Sequence, residues 1–234
     1  GNNPTSGILR KKLAALEGAE DALVFSSGMA AISSAIIANL KKDDHVICVK
    51  HPYSWTNTLL TENILPRFGV NVTMVDGTTV GSVKEALNSR TALIYLESPN
   101  SWTFEVQDLE AIAELAQKRG IITIIDNSYS TPLFKKPLSK GIDIVVHTAS
   151  KYLNGHSDVV AGVCCGSSAM IGKIFNNEYL TLGGILSPIE SWLFLRGLRT
   201  LDVRMERISA SSEKLLAYFS NCNMIKRIYH PQTS

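Results

Sequence analysis

The chain has 234 residues, of which 45% are hydrophobic and 19% charged, as expected of a globular protein with one large domain. Lysine and arginine number 23 and aspartate and glutamate 21, so the net charge of +2 provides no basic surface for nucleic-acid or membrane binding. The four cysteines form no C-x-x-C pair, which argues against a disulfide framework or a zinc site and indicates reduced thiols. With no targeting segment or membrane span in the sequence, we expect a cytoplasmic protein.

Short, mainly β-branched apolar runs alternate along the chain with amphipathic segments. The predicted strands are residues 22–25, 45–49, 72–75, 92–96, 121–125, 142–147 and 159–165. The predicted helices are residues 8–16, 28–40, 55–65, 83–88, 107–119 and 169–176, followed by one or two helices within 188–220. Because continuous apolar strands linked by helices are typical of a largely parallel sheet covered on both faces, the sequence predicts an α/β fold.

The residues that follow each apolar run are the candidates for a binding site, since open α/β sheets bind ligands at the carboxyl ends of their strands. Ser27, Gly28 and Met29 follow the first run and begin a predicted helix, where backbone N–H groups can hold a phosphate. Tyr53 follows the second run and could stack on a planar cofactor or relay a proton. Taken alone, a Ser-Gly turn before a helix is more often an ordinary helix cap, and Tyr53 could equally be a core or rim tyrosine.

Asp126 and Lys151 indicate a more specific chemistry. Asp126 directly follows the predicted strand 121–125, in which four of the five residues are isoleucine, and a buried carboxylate is costly unless it has a cationic partner. Lys151 comes later, in the hydroxyl-rich segment 147–151. Pyridoxal phosphate needs a lysine amine with which to form a Schiff base and an acid that keeps its pyridine nitrogen protonated. This pair of residues therefore predicts a pyridoxal phosphate site.

Other cofactor classes lack their sequence motifs. The chain contains no G-x-G-x-x-G, no P-loop, no His-Glu-x-x-His and no Gly-x-Ser-x-Gly. His147 and His156 flank Lys151 but have no carboxylate at ligand spacing, so we expect no metal site.

Seven short motifs occur in a fixed order along essentially the whole chain. They are Gly1-Asn2-Asn3-Pro4-Thr5, Leu16-Glu17-Gly18, Ser27-Gly28-Met29, Glu97-Ser98-Pro99, Asp126-Asn127, and the segments 150–158 and 195–201. As a set they resemble the Cys/Met-metabolism (trans-sulfuration) family of pyridoxal-phosphate enzymes. Within that family the chain is most similar to the cystathionine β-lyases and cystathionine γ-synthases. The resemblance implies a fold-type I large domain, with a mostly parallel sheet flanked by helices.

The resemblance also implies a role for each candidate residue. Lys151 would hold the cofactor and later move a substrate proton, and Asp126 would pair with the pyridine nitrogen. Tyr53 would stack on the cofactor ring and assist proton transfer. The implied phosphate ligands are the amides of Gly28 and Met29 and the hydroxyls of Thr148 and Ser150.

The implied activity is that of a carbon–sulfur lyase acting on cystathionine or a related sulfur amino acid. β-Elimination would release a thiol, pyruvate and ammonia. Ser101 stands where many members have asparagine, which favours the β-lyases, and Trp55 argues against a methionine γ-lyase. γ-Synthase or γ-lyase activity, an aminotransferase, and a catalytically silent cofactor-binding paralogue remain as alternatives.

The resemblance implies two domains and an oligomer. Residues 1–200 would form the cofactor-binding large domain, and residues 201–234 the linking helix and the beginning of a small C-terminal domain. Family members carry a Tyr-x-Arg ahead of the first motif and an arginine for the substrate carboxylate in the small domain, so we expect this chain to be truncated at both ends. Arg196 and Arg199 are expected to be structural. A homodimer or homotetramer with shared active sites is implied.

Overall fold

The computed structural model describes residues 3–232, so Gly1 and Asn2 of the first motif lie outside the described residues. Seven strands form a single sheet in the spatial order β1-β7-β6-β5-β4-β2-β3. The strands are β1 Asp21–Phe25, β2 His45–Val49, β3 Asn71–Val75, β4 Thr91–Glu97, β5 Ile122–Asp126, β6 Ile144–Thr148 and β7 Gly162–Gly166. All seven overlap the predicted apolar runs.

The sheet is mostly parallel, which confirms the predicted α/β class. Strands β2 to β6 pair in parallel with one another, whereas β7 is antiparallel to both of its neighbours, β1 and β6. An antiparallel pair needs no crossover helix. The connection from β6 to β7 is therefore a loop at the carboxyl end of β6, and this loop contains Lys151.

Helices connect most of the strands. The α-helices are α1 Pro4–Glu17, α2 Gly28–Ile37, α3 Ser54–Thr61, α4 Val80–Ala86, α5 Leu109–Gln117, α6 Thr131–Phe134, α7 Ser168–Ile174, α8 Leu180–Leu182, α9 Pro188–Leu198 and α10 Leu201–Ser220. Short 3-10 turns at Leu65–Phe68 and Pro137–Lys140 and a π turn at Phe175–Tyr179 complete the regular structure. No helix within residues 3–232 is long and apolar enough to cross a membrane.

Both faces of the sheet are buried under helices. On one face α1, α4, α5 and α9 contribute side chains such as Leu9 and Phe194. On the other face α2, α3 and α7 contribute side chains such as Ile32 and Ile171. These four side chains are completely buried, as expected where successive residues of a strand face two separate apolar layers.

Helix ends differ from the sequence prediction where local chemistry overrides the apolar pattern. Helix α1 begins four residues before the predicted start because the Asn3 side chain accepts the Ser6 N–H and Pro4 occupies the first turn. Helix α3 stops at Thr61 rather than at residue 65, and a 3-10 turn with Pro66 in its first turn follows. Proline has no N–H to donate, so an α-helix would lose a hydrogen bond at this position.

The segment 188–220 forms two helices, α9 and α10, separated at Arg199 and Thr200. Helix α9 begins with a capping box in which Ser187 and Glu190 bond each other's backbone. Helix α10 is 20 residues long, yet only Leu201 and Met205 of its side chains are buried. The division into domains at residue 200 stays a prediction.

A buried pair of side chains joins α1 to the sheet. Glu17 Oε2, at the end of α1, lies 3.0 Å from His147 Nε2 on β6. Both side chains are essentially inaccessible to solvent, and Glu17 Oε1 also accepts a long hydrogen bond of 3.5 Å from Asn127 Nδ2. This contact fixes α1 against the strand that leads to Lys151.

We expect Glu17→Ala to lower the free energy of unfolding by about 3 kcal/mol, because it leaves buried polar partners unsatisfied. The matched control is Glu114→Ala, which removes an exposed ion pair with Lys118 and should change stability by less than about 1 kcal/mol. Urea denaturation of the cofactor-free protein measures both changes. Equal effects of the two substitutions would contradict a structural role for the buried pair.

Candidate active site

A cavity of about 630 Å³ lies at the carboxyl ends of β4, β5 and β6. Its walls include Glu97 from the end of β4, Asp126 from the end of β5 and Thr148 from the end of β6. This is the edge at which open α/β sheets bind ligands. The volume lies within the range of small-molecule and cofactor pockets, roughly 300–1,000 Å³.

Most of the site residues predicted from the sequence line this cavity. Two of the seven, Gly28 and Met29, are not part of its walls. The five that line it are Tyr53, Asp126, Thr148, Ser150 and Lys151.

Gly28 lies next to the cavity, at the start of α2. A Cβ atom at Gly28 would lie 2.2 Å from Thr148 Oγ1, so only glycine allows the helix and the end of β6 to approach this closely. The N–H groups of Gly28 and Met29 make no backbone hydrogen bond within the described part of the chain. Unpaired N–H groups at the start of a ten-residue helix are suited to an anion such as a phosphate. The Met29 side chain lies in a separate groove beside Trp55.

Asp126 is 7% exposed, and its Oδ1 atom accepts the Ser128 N–H at 2.9 Å. Burial raises the pKa of this carboxyl, and the hydrogen bonds from Ser128 and the nearby His147 oppose that rise only in part. A cation beside Asp126 would therefore lower the free energy of the site. The protonated nitrogen of a pyridine ring is such a cation.

Lys151 lies in the loop between β6 and β7. Its backbone is held in a turn, since its N–H donates to Thr148 O and its carbonyl accepts the Gly155 N–H. Ser150 holds the start of this loop against its end just before β7, because its Oγ atom accepts the Ala161 N–H at 3.0 Å. The Lys151 side chain lines the cavity, and its Nζ atom forms no hydrogen bond or ion pair with residues 3–232. A fixed backbone thus carries an amine that is available for chemistry.

Arg204 also lines the cavity, although no motif or pattern had marked it as a candidate. Its guanidinium donates to Tyr152 O at 2.6 Å, to Gly197 O at 3.0 Å and, through Nε, to Thr200 Oγ1 at 3.0 Å. Gly155 has a φ of 73°, and a Cβ atom there would lie 2.1 Å from Arg204 Nη1. Arg204 therefore fixes the loop that carries Lys151 to the junction of α9 and α10.

The two arginines that we expected to be structural lie elsewhere. Arg196 pairs with Asp158, whose other carboxylate oxygen accepts the Asn154 side-chain amide. Arg199 lines a different groove, together with Lys12 and Lys136. Neither arginine contributes to the walls of the cavity.

Glu97 belongs to a motif of the sequence, but no role had been assigned to it. It is 4% exposed and lies beside Asp126, its register partner on β5. Glu97 Oε2 accepts the Tyr53 N–H at 2.9 Å, and Oε1 accepts the Ser101 N–H at 2.7 Å. Burial and the neighbouring Asp126 raise the pKa of Glu97 to about 7. The available signal was its position directly after a buried run, the same signal that identified Asp126.

Comparison with protein families identifies the family of the chain. The family described as "Cys/Met metabolism PLP-dependent enzyme" matches residues 1–234. The chain belongs to this family. Its members depend on pyridoxal phosphate. The cavity fits that cofactor because a buried acid and an available lysine line it, and a helix start with unpaired N–H groups lies next to it.

Relatives within the Cys/Met metabolism family differ in the reactions for which they are named. Cystathionine β-lyase MetC of Bacillus subtilis is 39% identical over 228 residues, which cover 97% of this chain and 58% of the relative. Cystathionine γ-lyase of the same organism is 38% identical over 232 residues, which cover 99% of this chain and 61% of the relative. The chain thus spans about three-fifths of the length of these curated relatives.

Solved structures agree with this assignment. Cystathionine γ-lyase from Lactobacillus plantarum complexed with L-serine superposes with a TM-score of 0.93 at 36% identity, covering 97% of this chain and 59% of that one. MetB from Corynebacterium glutamicum gives a TM-score of 0.94 at 33% identity, with the same coverage of both chains. The fold-type I architecture is therefore shared with known pyridoxal-phosphate enzymes.

The raised pKa of Glu97 predicts a pH-dependent stability. Its ordinary value of 4.5 rises to about 7 in the folded chain, so the folded state binds the proton more tightly than the unfolded state. The free energy of unfolding of the cofactor-free protein should fall as the pH rises through this window, by on the order of 3 kcal/mol from Glu97. Denaturant unfolding across the pH range measures it. Glu97→Gln should flatten the profile, and an unchanged slope in that variant would contradict the assignment.

The contacts of Arg204 predict that Arg204→Met loosens the Lys151 loop. It should lower the free energy of unfolding by about 2 kcal/mol, because it removes hydrogen bonds from a charged donor to two backbone carbonyls. Hydrogen exchange of the loop amides, at residues 151–155, should accelerate more than exchange in the strands. The control is Arg207→Met, at an exposed position of the same helix. Equal exchange in both variants would refute the link between α10 and the loop.

Proposed function

We propose that the complete gene product is a pyridoxal-phosphate-dependent carbon–sulfur lyase of trans-sulfuration. It acts on cystathionine or a related sulfur amino acid, and β-elimination releases a thiol, pyruvate and ammonia. The observation that carries this proposal is the meeting of buried Asp126 and available Lys151 in one cavity. The named activities of the relatives support carbon–sulfur chemistry.

The candidate residues in and next to the cavity divide into those that would bind the ring and those that would bind the phosphate. When bound, the cofactor supplies an electron sink for negative charge at the substrate Cα. The Asp126 carboxylate would pair with the pyridine nitrogen, and the Tyr53 ring would stack on the cofactor. The N–H groups of Gly28 and Met29 and the hydroxyls of Thr148 and Ser150 would hold the phosphate.

Proton transfer is assigned to Lys151 and Tyr53. Lys151 Nζ would remove the proton from the substrate Cα. This role requires an amine without competing ion pairs, and Lys151 Nζ forms none with residues 3–232. The Tyr53 hydroxyl assists proton transfer from the incoming amino group. Hydrogen bonds hold the backbones of both residues, so the Cα positions from which the two side chains project are fixed.

β-Elimination is favoured over γ-elimination by the loop after β4. Ser101 lines the cavity at the position where many family members have asparagine. The identities of the relatives do not choose between the reactions, since a β-lyase, a γ-lyase and a methionine γ-lyase are 38–39% identical to this chain. γ-Elimination or γ-replacement is the second candidate.

We also propose a cytoplasmic homodimer or homotetramer with shared active sites, and a division into a large domain, 1–200, and the start of a small one, 201–234. Large hydrophobic side chains are exposed close to the cavity, among them Trp55, Trp102 and Tyr129. A second subunit would cover them. The helix break before Leu201 and the exposed surface of α10 support the domain division.

Product analysis with cystathionine tests the proposed reaction on the complete gene product. We expect pyruvate, because Ser101 stands where many family members have asparagine, a replacement that we take to favour β-elimination. 2-Oxobutyrate would instead identify a γ-lyase. Transamination, or no turnover by cofactor-loaded protein, would contradict the carbon–sulfur lyase assignment.

Lys151→Ala tests the residue assignment. We expect it to abolish turnover and the visible absorbance of covalently held cofactor, because no other amine would take its place in the cavity. Lys118→Ala is the control. Lys118 is the exposed residue that directly follows α5, and its ion-pair partner is the exposed Glu114. Activity retained by Lys151→Ala would refute the assignment.

A further inference from the structure

Glu97 connects two loops that line the cavity and follow neighbouring strands. One loop follows β2 and carries Tyr53; the other follows β4 and carries Ser101. The two carboxylate oxygens accept one backbone N–H from each, at 2.9 Å from Tyr53 N and 2.7 Å from Ser101 N. Both of these residues line the cavity, as does Glu97 itself.

We propose that Glu97 is a positioning residue, which fixes the Tyr53 ring and the Ser101 loop at the distance that the cofactor ring requires. The proposal rests on the proposed function, because it needs a planar ring in the cavity. Glu97 acts through its neighbours, since each of its carboxylate oxygens is already engaged by a backbone N–H.

Tyr53 depends on this contact for its orientation. It precedes the first residue of α3 and makes no side-chain capping bond, and its side chain is partly exposed to the cavity. The bond from its N–H to Glu97 therefore anchors the backbone from which the ring projects. A ring that stacks on a cofactor gains most when its position is set before binding.

The second loop is held by Asn100 as well as by Glu97. Asn100 is 1% exposed, and its Nδ2 atom donates to Lys50 O at 2.7 Å. Its Oδ1 atom accepts the Trp102 N–H at 2.9 Å. Two buried side chains thus join the same pair of loops, so the spacing of the loops is built into the cavity wall.

The observed contacts call for a side chain with two acceptor oxygens, as the Glu97 carboxylate has. It accepts hydrogen bonds at both oxygens, whereas the glutamine side chain has one acceptor oxygen and an NH₂ group that would face a backbone N–H. Glu97→Gln therefore keeps the shape of the side chain and breaks one of the two bonds. It separates the bridge from the packing of the residue.

A double-mutant cycle in the complete gene product tests whether Glu97 acts through Tyr53. The four proteins are the wild type, Glu97→Gln, Tyr53→Ala and the double variant. The measured quantity is the apparent dissociation constant for pyridoxal phosphate, obtained from quenching of tryptophan fluorescence. Trp102 lies in the loop after β4, and Trp55 lies in α3, two residues after Tyr53. Near-ultraviolet circular dichroism establishes that each variant is folded.

We expect Glu97→Gln to weaken binding about tenfold, as for the loss of one hydrogen bond to a charged group. In the Tyr53→Ala background the same substitution should weaken binding by less than about threefold, since the two effects are coupled. Glu105→Gln is the matched control in the same loop. The Glu105 carboxylate accepts the Thr103 hydroxyl and does not line the cavity, so binding should stay unchanged.

Independent effects of the two substitutions would overturn the positioning role, because a merely structural contact weakens binding equally in both backgrounds. If Glu97→Gln fails to fold, Glu97→Asp replaces it in the cycle: it keeps the charge but is too short to reach both N–H groups, and the same coupling is expected. A wild-type protein that binds no pyridoxal phosphate would instead contradict the proposed function.

Discussion

The buried carboxylate of Asp126 is the constraint on which the active site depends. It ends a strand in the middle of the sheet, with apolar layers on both faces and Glu97 in register on the next strand. Burial opposes the ionisation of both groups, so the cofactor-free chain holds two acids where their charge is unfavourable. A bound cation relieves this cost. The two buried acids thus raise the free energy of the cofactor-free site. Binding of a protonated ring would lower it, and this difference would add to the affinity for the ring.

The position of Lys151 follows from the topology of the sheet. Because β7 runs antiparallel to β6, the chain turns back at the carboxyl end of β6 without a crossover helix. The resulting loop lies beside the strand ends that carry Asp126 and Thr148. Hydrogen bonds from Arg204 then fix the loop to the start of α10, so the backbone beside Lys151 is joined to the α9–α10 junction.

The sequence predicts the fold and the chemical residues because each leaves a local pattern. Asp126 follows an apolar run, Lys151 lies in a hydroxyl-rich motif, and the seven strands appear as apolar runs of the right length. The supporting contacts of Glu97 and Arg204 leave no such pattern. Each has one backbone partner far along the chain, 44 residues away for Glu97 and 52 for Arg204, and any residue type can provide a backbone N–H or carbonyl. Such contacts become visible only when the strands are placed side by side.

The protonation state of the cofactor nitrogen tests the central claim most directly. It can be measured by ¹⁵N nuclear magnetic resonance of ring-labelled pyridoxal phosphate bound to the complete gene product. We expect a protonated nitrogen near neutral pH in the wild type. In Asp126→Asn, whose side chain has the same shape but no charge, we expect the nitrogen to lose that proton. An unprotonated nitrogen in the wild-type protein would contradict the pairing of Asp126 with the ring.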